Sequence, residues 1–369
     1  MKKLLFVTFD KSPLDCTGWS GTPNSIFSQL MGKYEIDIFV ISRFCSLSAA
    51  AGYVYESVLL RKRNLFYLSE AFAKKASAQL NKVLKASKYD CIFTLNSAAI
   101  AYVKTDVPIV YFCDATFKNM VDYYWFGLSD KKLIEHDDIQ KKALMNADHI
   151  ICASEWARNS VINDYGIDGK TSVAHMGANV DCSDTSVLEH KGINLLFVGK
   201  DYVRKGAMTA IECVKRLNAR EDGNVYRLHM VGGTPKEFDS KDVHVYGVLN
   251  RDVREEKNML EDLWRSADIF ILPTSAECAG LVFCEASAFG VPSVTYSTGG
   301  VPDYVRNGEN GICLPLDSDA EAFADAIQEI VNSPEKFKQM KKRAEEIFIE
   351  ELNWPVFGNK VAEIIDGLD

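Results

Sequence analysis

Two carboxylates with a fixed spacing are the most informative feature of this chain. Glu277 and Glu285 stand eight residues apart in the run PTSAECAGLVFCEA. An apolar strand is predicted before Glu277, and a helix that begins near Gly280 places Glu285 on its second turn. The first turn of such a helix leaves backbone N–H groups near Leu281 and Val282 without partners, which suits an anionic oxygen such as that of a phosphate.

The two glutamates indicate what is attached to that phosphate. Carboxylates repel phosphate, so Glu277 and Glu285 are better suited to accept hydrogen bonds from hydroxyl groups on either side of it. A sugar and a ribose joined through phosphates have such hydroxyls. The spacing therefore predicts a site for a sugar nucleotide.

A second run supplies positive charge. In LLFVGKDYVRKGAMTAIECVKRL, a predicted strand is followed by a loop with Lys200, Arg204 and Lys205, and a helix begins near Gly206. Three cations between a strand end and a helix start are suited to clamp a diphosphate and to stabilise the charge on a departing nucleoside diphosphate. The alternative interpretation is an ordinary solvated loop.

Two loops in the first half of the chain are further candidates. The loop in FDKSPLDCTGWSGTPNSIF precedes a helix predicted to be capped near Thr22 or Asn24, and its residues around Gly21 and Thr22 would let backbone approach phosphate or acceptor. Asp114 follows an apolar strand and precedes a run rich in aromatic residues, so we expect a polar contact to donor or acceptor there. Core packing is the alternative for most of the aromatic residues.

Strands and helices alternate along the whole chain, which is typical of parallel sheets covered by helices. In the first half, strands are predicted at 4–8, 36–41, 55–60, 91–95, 109–113, 149–153 and 172–175. In the second half they are predicted at 195–198, 227–231, 243–246, 269–272, 293–296 and 311–314. A polar seam at 180–192 separates two α/β halves, and a cleft facing the carboxyl ends of both sheets is the expected site. Trp354, Phe357, Val361 and Ile364 predict the apolar stripe of a last helix.

Composition excludes several classes of function. The chain has 369 residues, 47% of them hydrophobic, and a net charge of −9, which is typical of a globular protein of two domains and argues against a nucleic-acid partner. The opening apolar run is too short for a signal peptide, and no window predicts a membrane span. The ten cysteines show no CxxC pair and predict reduced thiols, so we expect a cytoplasmic protein.

One charged segment keeps two interpretations open. Residues 61–88 hold eight basic side chains against one acidic side chain, interleaved with Leu65, Phe66, Tyr67 and Phe72. This pattern predicts either a solvated helix face or a patch that meets anionic lipid or an anionic acceptor. The second would place the protein peripherally at the inner face of a membrane.

No metal site is predicted. The six histidines show neither HxxxH nor HxH spacing. Asp317 and Asp319 form a DxD triplet, but they stand just before a helical run, which capping explains.

These motifs resemble, in order and spacing, those of the retaining GT-B glycosyltransferases of family 4. The resemblance covers nearly the whole chain and is carried by the E-x7-E element with the glycines and prolines after it, by RKG at 204–206, by WSGTP at 19–23, by CDATF at 113–117 and by ASEWAR at 153–158. Four positions depart from the family pattern: Lys200 stands where many members have Arg, Ala279 where many have Phe, Asp114 where many have His, and Asp303 where a glutamate is usual.

The resemblance implies a GT-B fold, with two Rossmann-like parallel-sheet domains facing a central cleft. It implies an acceptor-binding domain at 1–182, a nucleotide-sugar-binding domain at 193–350, and a last helix at 351–369 that crosses back to the first domain. Arg204 and Lys205 would bind the diphosphate, and Glu285 the ribose. Glu277, with backbone at Ala279, Gly280, Leu281 and Val282, would hold the sugar and the distal phosphate.

The expected reaction is transfer of a hexosyl group with retention of anomeric configuration and without a metal. No cofactor is implied, since the nucleotide sugar is a co-substrate. The candidate catalytic residues are Arg204, Lys205, Glu277 and Asp114, and the candidate donor-binding residues are Lys200, Glu285, Ala279, Gly280, Leu281, Val282, Gly21 and Thr22.

The sequence leaves the substrates open. UDP-glucose is slightly favoured as the donor, because the spacing VGKDYVRKG resembles that of a lipopolysaccharide glucosyltransferase, and the acceptor is expected to be a glycan, a lipid-linked molecule or a polypeptide. Two alternatives from other classes are a GT-B sugar-nucleotide epimerase and a non-catalytic subunit that binds a sugar nucleotide.

Overall fold

The protein divides into two compact units. The computed structural model describes residues 1–43, 51, 54, 55, 65–220 and 222–368. Unit 1 comprises Met1–His175 together with Trp354–Asp369, and unit 2 comprises Met176–Asn353. The division after His175 lies a few residues before the predicted seam at 180–192.

A parallel sheet of six strands forms the centre of unit 1. Its order is β2-β1-β3-β4-β5-β6. The strands are β1 (Lys3–Phe9), β2 (Glu35–Ile41), β3 (Cys91–Thr94), β4 (Ile109–Cys113), β5 (His149–Cys152) and β6 (Thr171–Val173). Every residue of β3 and β4 is buried, as expected for strands covered by helices on both faces. The strand predicted at 55–60 lies outside the described residues apart from Tyr55.

In its described residues, unit 1 has seven α-helices. They are α1 (Thr22–Leu30), α2 (Glu70–Ala86), α3 (Ser97–Ile100), α4 (Phe117–Met120), α5 (Asp130–Asn146), α6 (Glu155–Asn163) and, from the end of the chain, α13 (Trp354–Gly367). Side-chain caps fix several of their first turns: Ser69 accepts a hydrogen bond from Phe72 N, and Ser154 accepts one from Ala157 N.

The last helix, α13, packs inside unit 1. Phe357 meets Phe112 of β4 edge to face, with ring centroids 5.5 Å apart, and the Tyr34 hydroxyl donates to Asp366 Oδ1 at 3.0 Å. The buried stripe of α13 consists of Trp354, Phe357, Val361 and Ile365. The stripe thus ends at Ile365 rather than at the predicted Ile364, because its last residue lies four positions after Val361 rather than three.

Unit 2 repeats the architecture with a second parallel sheet of six strands, ordered β12-β11-β10-β7-β8-β9. The strands are β7 (Ile193–Gly199), β8 (Tyr226–Gly232), β9 (Val243–Gly247), β10 (Ile269–Leu272), β11 (Ser293–Tyr296) and β12 (Gly311–Leu314). The helices are α7 (Ala207–Ala219), α8 (Arg254–Arg265), α9 (Leu281–Ala288), α10 (Val301–Tyr304), α11 (Ala320–Val331) and α12 (Pro334–Glu350).

Two smaller predictions are confirmed in the described part of the chain. Asp319 caps α11 by accepting a hydrogen bond from Ala322 N at 3.1 Å, which accounts for the second aspartate of the DxD triplet. The nine described cysteines are all free, and six of them are buried. None of the described helices is long and apolar enough to cross a bilayer.

Candidate functional site

The loops that carry the predicted cations and carboxylates leave adjacent strands of unit 2. β7 and β10 pair in parallel, so the loops after them, 200–206 and 273–280, emerge at the same edge of the sheet. The Arg204 carbonyl helps to join the loops, since it accepts from Ser275 N at 2.9 Å and from Ser275 Oγ at 3.2 Å. The cations and the first glutamate are therefore brought together, as their positions in the sequence predict.

Arg204, Lys205 and Glu277 form one cluster. Lys205 Nζ donates a hydrogen bond to Glu277 Oε2, and Arg204 Nη1 lies 3.6 Å from the same oxygen. Arg204 Nη1 also donates to the Ala276 carbonyl at 2.6 Å. Lys205 and Glu277 are largely covered, with side chains 11% and 15% exposed. One carboxylate oxygen is thus held between two cations, an arrangement that carries net positive charge.

Two glycines determine how closely these loops approach. Gly206 adopts φ +75°, and a Cβ there would lie 2.1 Å from the Pro273 carbonyl oxygen. Gly280 adopts φ +95°, and a Cβ there would lie 2.6 Å from Phe283 Cδ2. Only glycine fits both the left-handed backbone and the space at these positions.

The first turn of α9 offers backbone donors beside the cluster. Gly280 is the N-cap of α9 and provides no side-chain cap. The N–H groups of Leu281 and Val282 donate to none of the described residues, whereas Phe283 N donates to the Gly280 carbonyl. Ala279 and Gly280 lie between Glu277 and these amides in the chain, and both are buried. The prediction of free amides at a helix start is confirmed for the part of the chain that is described.

Glu285 lies on the second turn of α9, and its side chain is only 3% exposed. Arg251 Nη2 donates to Glu285 Oε1 at 2.9 Å, a contact that the sequence analysis missed. Burial, with the negative charge of Glu285 added, raises the pKa of the nearby Cys182 thiol to about 12. Sequence offers no local signal for this ion pair, since its partners are 34 residues apart.

Lys200, the third predicted cation, is exposed at the end of β7. Its side chain forms no ion pair with a described residue. With no counterion among the described residues, Lys200 adds to the positive potential of the loop that also carries Arg204 and Lys205.

The predicted residues of unit 1 occupy the carboxyl ends of its strands. Gly21 lies in the loop after β1 and is the N-cap of α1 with φ +86°, one residue before Thr22, near which the cap was predicted. Thr22 is the first residue of α1 and is 1% exposed. Asp114 directly follows β4 and is half-buried.

Backbone strain is concentrated in the loop before α1. Trp19 and Ser20 adopt φ of 44° and 54°, and Gly21 continues the left-handed run. Such conformations cost free energy in residues other than glycine, and they are frequent at binding sites. The Trp19 ring lies 6.1 Å from that of Phe112 on β4, which brings this loop towards the strand that ends before Asp114.

The basic segment at 61–88 is described only from residue 65. Lys74, Lys75, Lys82, Lys85 and Lys88 are exposed, and Lys74 pairs with Glu70 at 2.8 Å. The interleaved apolar residues behave differently, since Leu65 and Phe72 are buried and Phe66 and Tyr67 pack on the core. In its described part the segment is a charged helix face over an apolar core.

A cavity of about 260 Å³ lies elsewhere in unit 2. It is lined by Asp181, Ser183, Asp184, Asn258, Glu261, Asp262 and Arg265. Four carboxylates against one guanidinium would repel a phosphate. Among the described residues, no group of His, Cys, Asp or Glu is arranged to hold a metal ion.

Comparison with known proteins agrees with the fold. The family model "Glycosyltransferase Family 4" matches residues 29–181, and "Glycosyl transferases group 1" matches residues 183–347. Similar curated proteins include D-inositol 3-phosphate glycosyltransferase 2 of Catenulispora acidiphila, 26% identical over 54% of this chain and 52% of that protein. Alpha-maltose-1-phosphate synthase of Mycolicibacterium smegmatis is 25% identical over 61% of this chain and 65% of that protein. The chain thus spans about half to two thirds of the length of these two relatives.

Solved structures share the whole architecture at low sequence identity. Sucrose-phosphate synthase from Thermosynechococcus elongatus superposes with a TM-score of 0.72 at 17% identity, covering 100% of this chain and 99% of that one. HepE from Anabaena, solved with UDP and glucose, gives a TM-score of 0.65 at 17% identity and covers 100% of both chains. With two family models that together account for residues 29–181 and 183–347, the chain belongs to family 4 of the glycosyltransferases with the GT-B fold.

Proposed function

We propose that the protein transfers a hexosyl group from a nucleoside-diphosphate sugar to a glycan, a lipid-linked molecule or a polypeptide, with retention of anomeric configuration and without a metal ion. One observation carries the proposal: Arg204 and Lys205 meet Glu277 directly before a helix start with open amides at Leu281 and Val282. Cations and amides at one place are the groups that bind a diphosphate.

In this proposal the positive cluster stabilises the departing nucleoside diphosphate. Arg204, Lys205 and the amides of α9 would neutralise the charge that develops as the glycosidic bond breaks. Lys200, exposed and without an ion-pair partner among the described residues, would contribute to donor binding. A phosphate oxygen of the donor would take the proton of the acceptor hydroxyl.

Glu277 and Glu285 have binding roles in this scheme. Glu277 Oε2 is already shared by two cations, so Glu277 is poorly suited to attack an anomeric carbon, as a glycosidase carboxylate does. Glu277 would accept from a sugar hydroxyl, with backbone at Ala279 and Gly280 alongside. Glu285 would accept hydrogen bonds from the ribose.

From unit 1, Asp114 and the strained loop at Gly21 and Thr22 would contact donor or acceptor. The strain at Trp19 and Ser20 supports a binding role for that loop. UDP-glucose is the favoured donor. The spacing of residues in the loop at 200–206 and the UDP and glucose in the HepE structure support this choice.

A screen of nucleotide sugars by thermal shift, followed by an assay for released nucleoside diphosphate, tests the proposal. The Arg204→Ala variant is expected to turn over the selected donor about 10² to 10³ times more slowly, by analogy with loss of one oxyanion donor. Lys215→Ala is the matched control, because it removes an exposed cation from α7 without touching the loop. Equal rates for the Arg204→Ala variant and wild type would refute the role of Arg204.

Metal independence, retention of configuration and the two alternative functions are tested by separate measurements. Activity that survives EDTA and an anomeric configuration that NMR shows to be retained are the expected results. A changed sugar in the donor, with no acceptor added, would instead indicate an epimerase. Binding of a nucleotide sugar without any released diphosphate would indicate a non-catalytic subunit.

We also propose a peripheral contact with anionic membranes through residues 61–88. The exposed lysines of α2 support it, but the burial of Leu65 and Phe72 limits the contact to charge. Flotation with anionic vesicles that disappears at high salt is expected. Absence of binding at low salt would contradict the contact.

A further inference from the structure

The carboxylate of Glu285 is held from one side only. Its side chain is 3% exposed, and a charge buried to that degree needs a partner of opposite sign. Arg251 Nη2 provides it by donating to Oε1 at 2.9 Å. The second oxygen, Oε2, accepts no hydrogen bond from the part of the chain that the structure describes.

Arg251 connects three segments of unit 2 at this point. It lies in the loop between β9 and α8, and its Nη1 donates to the Asn179 carbonyl at 3.1 Å while its Nη2 reaches Glu285 on α9. A guanidinium bonded to two different groups has a fixed plane, so the carboxylate that it holds is oriented as well. Arg251 itself is 40% exposed, which leaves its outer side open to solvent.

We propose that Arg251 is a positioning residue for the ribose of the nucleotide and acts through Glu285. Arg251 occupies Oε1 and leaves Oε2, with its free lone pairs, to accept from the ribose hydroxyls. This inference rests on the proposed function, in which Glu285 binds the ribose, and adds the residue that orients it. A carboxylate that is fixed before binding loses less freedom when the ligand arrives.

The geometry makes the effect selective for one part of the ligand. The hydroxyls are the only ribose groups that can donate to a carboxylate. Loss of Arg251 should therefore weaken a ribonucleotide and spare a nucleotide without those hydroxyls. A general distortion of the loop would weaken both alike.

Calorimetric titration of four proteins tests the inference: wild type and the Arg251→Ala, Arg251→Lys and Arg254→Ala variants. Each is titrated with the nucleoside diphosphate selected by the thermal-shift screen and with its 2′,3′-dideoxy analogue. We expect Arg251→Ala to raise the Kd of the ribonucleotide about tenfold, which is the size of one charge-assisted hydrogen bond. The Kd of the dideoxy nucleotide should rise less than twofold. Arg251→Lys should give a Kd between those of wild type and Arg251→Ala, because an ammonium can pair with Oε1 but lacks the plane that fixes the carboxylate. Arg254→Ala, which removes an exposed arginine at the start of α8, should match wild type.

A further pair of variants places the effect at Glu285. In a Glu285→Gln background, Arg251→Ala should cause no further loss, because the group through which it acts is gone. An equal loss for both nucleotides, an unchanged Kd, or tighter binding by Arg251→Ala would overturn the role of Arg251. If wild type prefers the ribonucleotide and Arg251→Ala gives one of these results, only the inference about Arg251 is refuted. If wild type binds no nucleoside diphosphate, the proposed function is refuted and the inference with it.

Discussion

At this site, charged residues that are far apart in the sequence form ion pairs. Lys205 is largely buried and pairs with Glu277, which also faces Arg204. The sequence predicted that cations and carboxylates would share a ligand, and the structure adds that they also hold each other. The pairing of Arg251 with Glu285 was not predictable, because no motif connects a loop arginine to a glutamate on a distant helix.

The Lys205–Glu277 pair gives a prediction about stability. Because both side chains are largely covered, Lys205→Met leaves a carboxylate short of one partner and should lower the free energy of unfolding by about 1–3 kcal/mol. Glu277→Gln should cost a similar amount, and the double variant should recover part of the loss. Urea unfolding of the four proteins measures this coupling, and strictly additive losses would show that the pair does not contribute.

Elements set the directions in which the site residues point. Each predicted strand that falls within the described residues is present, and α7 and α9 begin where the glycines predicted. The N-cap of α1 is Gly21, because a left-handed glycine rather than a hydroxyl precedes the helix, which begins at Thr22. Propensity and spacing predict such elements well, whereas a cap that depends on one unusual φ is visible only in the structure.

The turn into α9 yields a second prediction. Gly280→Ala places a Cβ 2.6 Å from Phe283 Cδ2 and 3.2 Å from Glu277 Cγ, at φ +95°. We expect a loss of about 1–3 kcal/mol of stability from the strained backbone, together with weaker nucleotide binding. Gly308→Ala is the control, since Gly308 has φ +83° and no atom near the new Cβ. Unchanged nucleotide affinity in Gly280→Ala would separate this turn from the site.

His229 on β8 should make the stability of the protein depend on pH. Burial, with the nearby charges of His244 and Arg227 added, lowers the pKa of His229 from 6.5 to about 4. Its Nδ1 lies 2.8 Å from the Tyr246 hydroxyl. Below pH 6.5 the unfolded chain takes up a proton that the folded chain refuses, so stability should fall as the pH drops from about 6.5 to about 4.

His229→Gln removes this titration. Its urea midpoint should therefore change less than that of wild type over the same pH range. Parallel curves for the two proteins would show that His229 is not the group responsible.

At the scale of the whole molecule, two parallel sheets of six strands account for the fold. The alternation of strand and helix predicted both sheets, and the resemblance to GT-B glycosyltransferases is confirmed by the family models. The boundary between the two units was harder to predict, because the largely polar residues 176–192 belong to unit 2 rather than to a linker. The hydrogen bond from Leu188 N to the Arg265 carbonyl is one contact that ties them to it.

We propose that the loop at 200–206 and the first turn of α9 bind the terminal phosphate of a nucleoside diphosphate. The most direct measurement is the calorimetric preference for nucleoside diphosphate over nucleoside monophosphate, in wild type and in Arg204→Ala. We predict that wild type prefers the diphosphate by about tenfold or more, as expected for charge-assisted bonds, and that Arg204→Ala loses most of that preference. The same preference in both proteins would show that Arg204 does not bind the terminal phosphate.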